Sequence, residues 1–232
     1  MPGVATDVFR SDWLHIVDIG VGADFLGNCF KEFCKLLPGR NKKLRRKALW
    51  DKILKFYDEN KIKDRMVGVK SWGIQAPGQP PKLKANAACV RALIPFCHQQ
   101  CMSLLSDSPK HNAIKLAAHH LHECYKCLST SSEDWTTVLP QSSKEFAIHC
   151  HALATVHERP DWVVKPKMHQ FLEMCSGISK PNMSWTYRDE DYGGSIAQLC
   201  RIKGGCWKKI LNYSQKMLVL FKTKNRAPRI RL

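Results

Sequence analysis

A run of carboxylates is the first feature of this sequence that could do chemistry. Three acidic residues follow one another at Asp189, Glu190 and Asp191. Carboxylate oxygens are the ligands that a hard divalent cation prefers, but a site needs a further acid that the fold brings close. Asp12 and Asp18 are the candidates for that second acid. The alternative interpretation is capping, because acids in the first turn of a helix favour the helix dipole.

Two short segments resemble parts of eukaryotic cut-and-paste DNA transposases. The segment DWLHIVDIG at residues 12–20, followed by an amphipathic helix, resembles their D-x-x-H…G segment. The segments KPKMHQF at 165–171 and WTYRDE at 185–190 resemble their later K-P-K-x-H segment, which in that family leads into the helix with the last catalytic acid. These are the RNase H-like, acid-triad enzymes with a large helical insertion, such as the Kyakuja–Dileera–Zisupton and CACTA groups.

The resemblance implies roles for particular residues. Asp12 would match the second acid of the triad and Glu190 the third, with Asp189 as a less favoured substitute. His15 and His169 would match the accompanying histidines, which could orient a phosphate or a carboxylate. Such a site would hold two magnesium ions that promote phosphodiester cleavage and strand transfer. The 178 residues from Asp12 to Glu190 are largely helical in pattern, which suits the family's insertion.

The sequence departs from the family pattern at its start. The first acid of the triad lies on a strand well before the second, and eleven residues precede Asp12 here. We therefore predict the C-terminal part of a transposase, which does not cut DNA alone. Its expected partners are DNA and either the corresponding N-terminal half or a full-length transposase. No feature of the sequence indicates an oligomeric state.

The positive charge of the chain is concentrated in two regions. The net charge is +17; residues 31–70 carry 14 basic and 5 acidic side chains, and residues 201–232 carry 10 basic and no acidic ones. This pattern predicts a polyanionic partner, most plausibly DNA, and a nuclear location. Two alternatives stay open: a non-enzymatic helical nucleic-acid-binding module, and a helical protein-interaction domain whose charge serves solubility. The predicted DNA contacts are Lys42, Lys43, Arg45, Arg46, Lys47, Lys165, Lys167, Arg188, Lys208 and Lys209.

A second group of residues has the side-chain types of a zinc site. His120, Cys124 and Cys127 follow at intervals of four and three residues, which places them on one face of a helix. Imidazole and thiolate are common zinc ligands, and residues 149–151 or His157 could supply another. Ordinary helix packing is the favoured interpretation, because paired zinc ligands usually come from a turn.

The hydrophobic pattern predicts a mainly α, helical bundle-like protein with little or no sheet. The resemblance implies that these helices form the family's insertion, together with a partial RNase H-like remnant. Residues 14–21 are rich in branched side chains and could form a strand or extended turn. Residues 71–82 and the Ser/Thr-rich residues 129–144 have the composition of loops. The predicted helices cover 25–37, 42–59, two segments within 83–128, 142–157, 168–175 and 207–221.

Composition limits the class of protein. The hydrophobic share of 44% is typical of a globular chain, and no stretch has the length or apolarity of a membrane span. No secretory signal is visible, and the 11 cysteines are mostly dispersed among apolar residues, which favours a reducing compartment. The predicted divisions are a strand or turn with a basic helical pair at 1–70, a loop at 71–82, the helical insertion at 83–158, an acid-bearing region at 159–222 and a basic tail at 223–232.

Overall fold

Helices account for the secondary structure of the described residues. The computed structural model describes residues 12–67, 79–129, 135–155, 161–177 and 180–181. All of them belong to the first of the two units into which the chain divides, Met1–Trp185 and Thr186–Leu232. The elements are a π-helical segment, Leu14–Gly22, and six α-helices: α1 Ala23–Leu36, α2 Lys42–Glu59, α3 Ala87–Leu104, α4 Pro109–Ser129, α5 Trp135–Thr155 and α6 Lys167–Cys175.

The predicted mainly α class is confirmed, and the described residues contain no strand. The RNase H-like remnant stays a prediction. None of the helices in the described ranges combines the length and the apolarity that a membrane crossing needs.

Three helices begin at polar side chains that the sequence places just before them. The side-chain oxygens of Asn41, Asn86 and Ser108 each accept the backbone N–H three residues further on, at 2.9, 2.8 and 3.3 Å. Each bond satisfies one of the N–H groups that the first helical turn leaves without a partner. The Ser108 bond lies at the start of α4, which begins at Pro109.

The segment that was predicted as a strand or extended turn is helical instead. Its branched side chains Ile16, Val17 and Val21 are buried, as they would be in a strand, but no strand lies beside them in the described residues. The backbone N–H and C=O groups of a buried segment need partners. A helix supplies those partners locally, so tertiary context overrides the β-propensity of the side chains.

Helix α5 begins at Trp135, whereas the sequence predicted a loop up to residue 144. Serine and threonine favour loops because their hydroxyls compete for backbone groups. Here the Ser143 hydroxyl donates to the Pro140 carbonyl at 2.9 Å within the helix. Leu139 is fully buried, so packing of the additional turns against the core favours the helix.

Buried aromatic rings that contact one another connect residues near the start and near the end of the described part of the protein. The ring of Trp13 lies edge-on to that of Tyr125 at 5.4 Å and to that of Phe171 at 5.8 Å between centroids. Phe171 contacts Phe146 at 5.9 Å, and Phe146 contacts Phe25 at 5.3 Å. Edge-to-face packing of this kind adds to the stabilisation from burial. It holds the π-helical segment, α1, α4, α5 and α6 around one core.

Candidate functional site

Residues 12–20 and 165–171, which both carry the transposase resemblance, lie against each other. They are separated by about 145 residues in the sequence. The Nζ atom of Lys167, at the start of α6, donates a hydrogen bond to the carbonyl oxygen of His15 at 2.6 Å. The Trp13–Phe171 ring contact lies in the same junction. We call this contact between residues 12–24 and 165–171 the motif junction.

A glycine makes room for the lysine that crosses the motif junction. A Cβ atom at Gly20 would lie 2.8 Å from Lys167 Cδ and 3.1 Å from the His15 carbonyl oxygen. Gly20 also has non-helical torsions, φ −105° and ψ −106°, at which the π-helical segment kinks. Any side chain larger than a hydrogen atom at position 20 would displace Lys167. The glycine of the D-x-x-H…G pattern and the second lysine of K-P-K-x-H therefore fit each other here.

Asp12 caps the π-helical segment and binds the neighbouring histidine. Its Oδ1 accepts the Leu14 N–H at 3.4 Å, and its Oδ2 accepts the His15 N–H at 3.3 Å. The His15 Nδ1 atom also contacts Oδ2. The side chain of Asp12 is 14% exposed and that of His15 is 56% exposed.

The K-P-K-x-H segment has ionic partners within the protein. Lys165 Nζ lies 2.8 Å from the Asp24 carboxylate, and Lys167 reaches the His15 carbonyl. His169 is 78% exposed and its Nε2 lies 3.2 Å from Glu173 Oε1, one turn along α6. The two lysines predicted as DNA contacts thus hold the motif junction together. The remaining predicted site residues, Asp189, Glu190, Arg188, Lys208 and Lys209, lie outside the described residues.

Asp18, weighed as a cation ligand, is buried behind the motif junction. The Tyr125 hydroxyl donates to its Oδ1, and the Trp13 side chain also interacts with the carboxylate. Burial raises the pKa of Asp18 to about 7, although the Tyr125 hydrogen bond and the positive charge of Arg91 oppose this shift. Since the side chain is fully buried, it is a core group and cannot reach a cation at the surface.

The sequence run from Lys42 to Lys47 forms a basic surface on α2. The N-terminal end of a helix carries partial positive charge, so cations there are unfavourable unless an anion is bound. The first turn of α2 contains no acid. Several other lysines are paired with carboxylates, as in the contacts of Lys31 with Asp161 and Lys110 with Glu32 at 2.7 and 2.5 Å. We call Lys42, Lys43, Arg45, Arg46 and Lys47 the basic cluster.

Within the basic cluster the lysines and arginines are placed differently. Lys42, Lys43 and Lys47 are exposed. Arg45 and Arg46 are half-buried, and their Nε atoms donate to the carbonyls of Gly39 and Lys42 at 2.8 and 3.3 Å. The arginines therefore have structural bonds, and the three lysines present their charge to solvent.

The structure does not bring the predicted zinc ligands together. Among the described residues, one ligand atom each from His120, Glu145 and His149 lie within 4.8 Å of one another, whereas those of His120, Cys124 and Cys127 do not. Cys124 points into the core, where burial raises its thiol pKa well above the usual value. Glu145 was not among the ligands that the sequence predicted. Its spacing of four residues before His149, one helical turn, is the signal that could have identified it.

A buried group of three thiols was also not predicted from the sequence. The sulfur atoms of Cys29, Cys97 and Cys101 lie within 4.8 Å of one another between α1 and α3. Burial raises the pKa of the Cys29 and Cys97 thiols well above the usual value. None of these three thiols forms a disulfide. All three are nearly inaccessible to solvent, so they pack as small apolar groups.

Comparison with protein-family models gives no match to this sequence, and comparisons with curated proteins and with solved structures give no significant match.

Proposed function

We propose that this chain is a DNA-binding segment of an RNase H-like, acid-triad transposase. In this proposal Asp12 and Glu190 are two acids of a magnesium site for phosphodiester chemistry, and the basic cluster on α2 holds the DNA backbone. The observation that carries the proposal is the motif junction. There, the Lys167 Nζ–His15 carbonyl bond of 2.6 Å joins the two segments that resemble the family.

A shared metal site requires distant parts of the chain to meet. Acids that are 178 residues apart can bind one pair of cations only if the segments bearing them fold together. Within the first unit, α6 packs on the π-helical segment through Phe171 and Trp13. Glu190 follows the end of α6 by 15 residues.

The charge distribution supports DNA as the partner. The exposed lysines of the basic cluster carry positive charge at a helix N-terminus, where the dipole already attracts anions. Phosphate groups bound there would interact favourably with both the side chains and the helix end. Solubility alone needs neither this concentration of charge nor this position.

Removing three charges from the basic cluster tests DNA binding. We expect the triple variant Lys42→Gln, Lys43→Gln and Lys47→Gln to weaken binding to duplex DNA at least tenfold near 0.1 M salt. Each lost phosphate contact lowers the slope of log affinity against log salt by about 0.9, so the slope should fall by up to about 3. Fluorescence anisotropy with labelled duplex over a range of salt concentrations measures both quantities.

A matched variant controls for net charge. The control is a triple variant that removes the same number of exposed charges outside the basic cluster. It combines Lys52→Gln, Lys55→Gln and Lys63→Gln. This control should lose much less affinity. Equal losses in the two variants would contradict a DNA surface at the basic cluster. Binding that does not weaken with salt would favour the protein-interaction alternative.

Manganese binding tests the metal site and separates a transposase from a non-enzymatic DNA-binding module. Mn²⁺ replaces Mg²⁺ at oxygen ligands and broadens NMR signals of nearby nuclei. We expect it to broaden the signals of His15, and we expect Glu190→Gln to abolish that broadening. Asp12→Asn should also abolish it while preserving the helix cap, because asparagine caps equally well.

The neighbouring acid supplies the control for this experiment. Asp189→Asn should leave the broadening at His15 unchanged. If Glu190→Gln leaves it unchanged while DNA binding persists, the transposase assignment is wrong and the chain is a non-enzymatic nucleic-acid-binding module.

A further inference from the structure

Three potential metal ligands converge between α4 and α5, far in sequence from the motif junction. One ligand atom from each of His120, Glu145 and His149 lies within 4.8 Å of the other two. All three side chains are partly buried. The rings of His120 and His149 are nearly parallel, 12° apart in orientation, with centroids 5.9 Å apart. The ligands come from two long helices, so the backbone that carries them is rigid.

The carboxylate in this group is oriented by a neighbour. Gln141 Nε2 donates to Glu145 Oε1 at 2.9 Å, one helical turn earlier on α5. This bond fixes one carboxylate oxygen and leaves the other for a ligand role. Outer hydrogen bonds of this kind hold metal-binding carboxylates in position in characterised sites.

A further imidazole lies beside this group. The rings of His119 and His120 are edge-on, with centroids 5.2 Å apart. A neutral imidazole has a lone pair on one ring nitrogen that can bind a metal ion.

We propose that His120, Glu145 and His149 form a zinc site that links α4 to α5. Two imidazole nitrogens and one carboxylate oxygen make a ligand set that zinc accepts, with the fourth tetrahedral position open to water or another ligand. The softer thiols of Cys124 and Cys127 take no part in it. This proposal is independent of the transposase assignment, because it uses none of the residues of the motif junction.

Zinc titration of the full chain, prepared without a metal-binding tag, tests this site. We expect one equivalent of zinc to bind and to raise the melting temperature by roughly 5–10 °C at a hundredfold excess over the dissociation constant. His149→Ala should weaken zinc binding at least tenfold and remove this shift. His151→Ala, an exposed histidine on the same helix, should behave like the unmodified protein.

Cobalt substitution identifies the ligand types independently of stability. Co²⁺ in place of zinc should give the visible spectrum of a tetrahedral or five-coordinate site without the near-ultraviolet band of a thiolate ligand. Glu145→Gln should alter that spectrum while circular dichroism stays unchanged. Binding of less than one-tenth equivalent of zinc, a thiolate band, or equal affinity in the His149→Ala variant would each overturn the proposal.

Discussion

Replacing Asp18 with asparagine should remove a loss of stability that the unmodified protein suffers between about pH 4 and pH 7. Burial raises the pKa of Asp18 to about 7 in the folded protein. In the unfolded chain it titrates near its ordinary value of about 3.9. Between these values the folded state retains a proton that the unfolded state has released. The free energy of unfolding therefore decreases as pH rises through this window.

The expected effect of Asp18 is large. Each pH unit between the two pKa values costs about 1.4 kcal/mol, so the contribution of this group falls by up to about 4 kcal/mol from pH 4 to pH 7. Other carboxylates titrate in the same range, so the quantity to measure is the difference between the two proteins. Urea unfolding of the unmodified protein and of Asp18→Asn at several pH values gives that difference.

A second variant checks that the pH dependence of stability arises from the buried Asp18 and its hydrogen bond with Tyr125. Tyr125→Phe removes the hydroxyl that donates to Asp18 Oδ1 and thereby favours the protonated carboxyl. Its loss of stability should extend to higher pH than in the unmodified protein. Parallel pH profiles for the unmodified protein and Asp18→Asn would show that Asp18 is not buried as described.

Truncating Trp13 to alanine should destabilise the protein by about 3–5 kcal/mol, the range for large buried aromatic side chains. Trp13 is fully buried and packs edge-on against Tyr125 of α4 and Phe171 of α6. Its removal leaves a cavity where the π-helical segment meets both helices. Urea unfolding measures the loss, and the Mn²⁺ broadening at His15 should disappear because the motif junction loosens.

A conservative change at the same position separates packing from hydrogen bonding. Trp13→Phe keeps a ring in the core and removes the indole Nε1, which interacts with the Asp18 carboxylate. We expect Trp13→Phe to lower the free energy of unfolding by well under half as much as Trp13→Ala does. Trp50→Ala, at a partly buried tryptophan on α2, should also cost less. If Trp13→Ala is no more destabilising than Trp50→Ala, Trp13 does not join the three elements.

Local sequence was sufficient for several elements of the fold. The predicted helix at 42–59 coincides with α2, and the predicted helices at 25–37 and 168–175 match α1 and α6 to within two residues. The apolar residues of these helices recur at helical spacing. Side-chain caps are supplied by Asn41 at the start of α2 and by Ser108 at the start of α4. These features succeed because helix formation depends on neighbours within about one turn. The basic cluster was equally visible, since charge is a property of the sequence.

Tertiary contacts decided the rest. Composition favoured a strand at residues 14–21, but with no neighbouring strand in the described residues the backbone bonds are made within a π-helix. Likewise, spacing alone grouped His120 with two cysteines, whereas the packing of α5 on α4 places Glu145 and His149 beside it. The Lys167–His15 bond joins residues 152 positions apart. Residue types and local periodicity thus determined the helices and their charge, while the partners of each side chain across the core depended on which helices pack together.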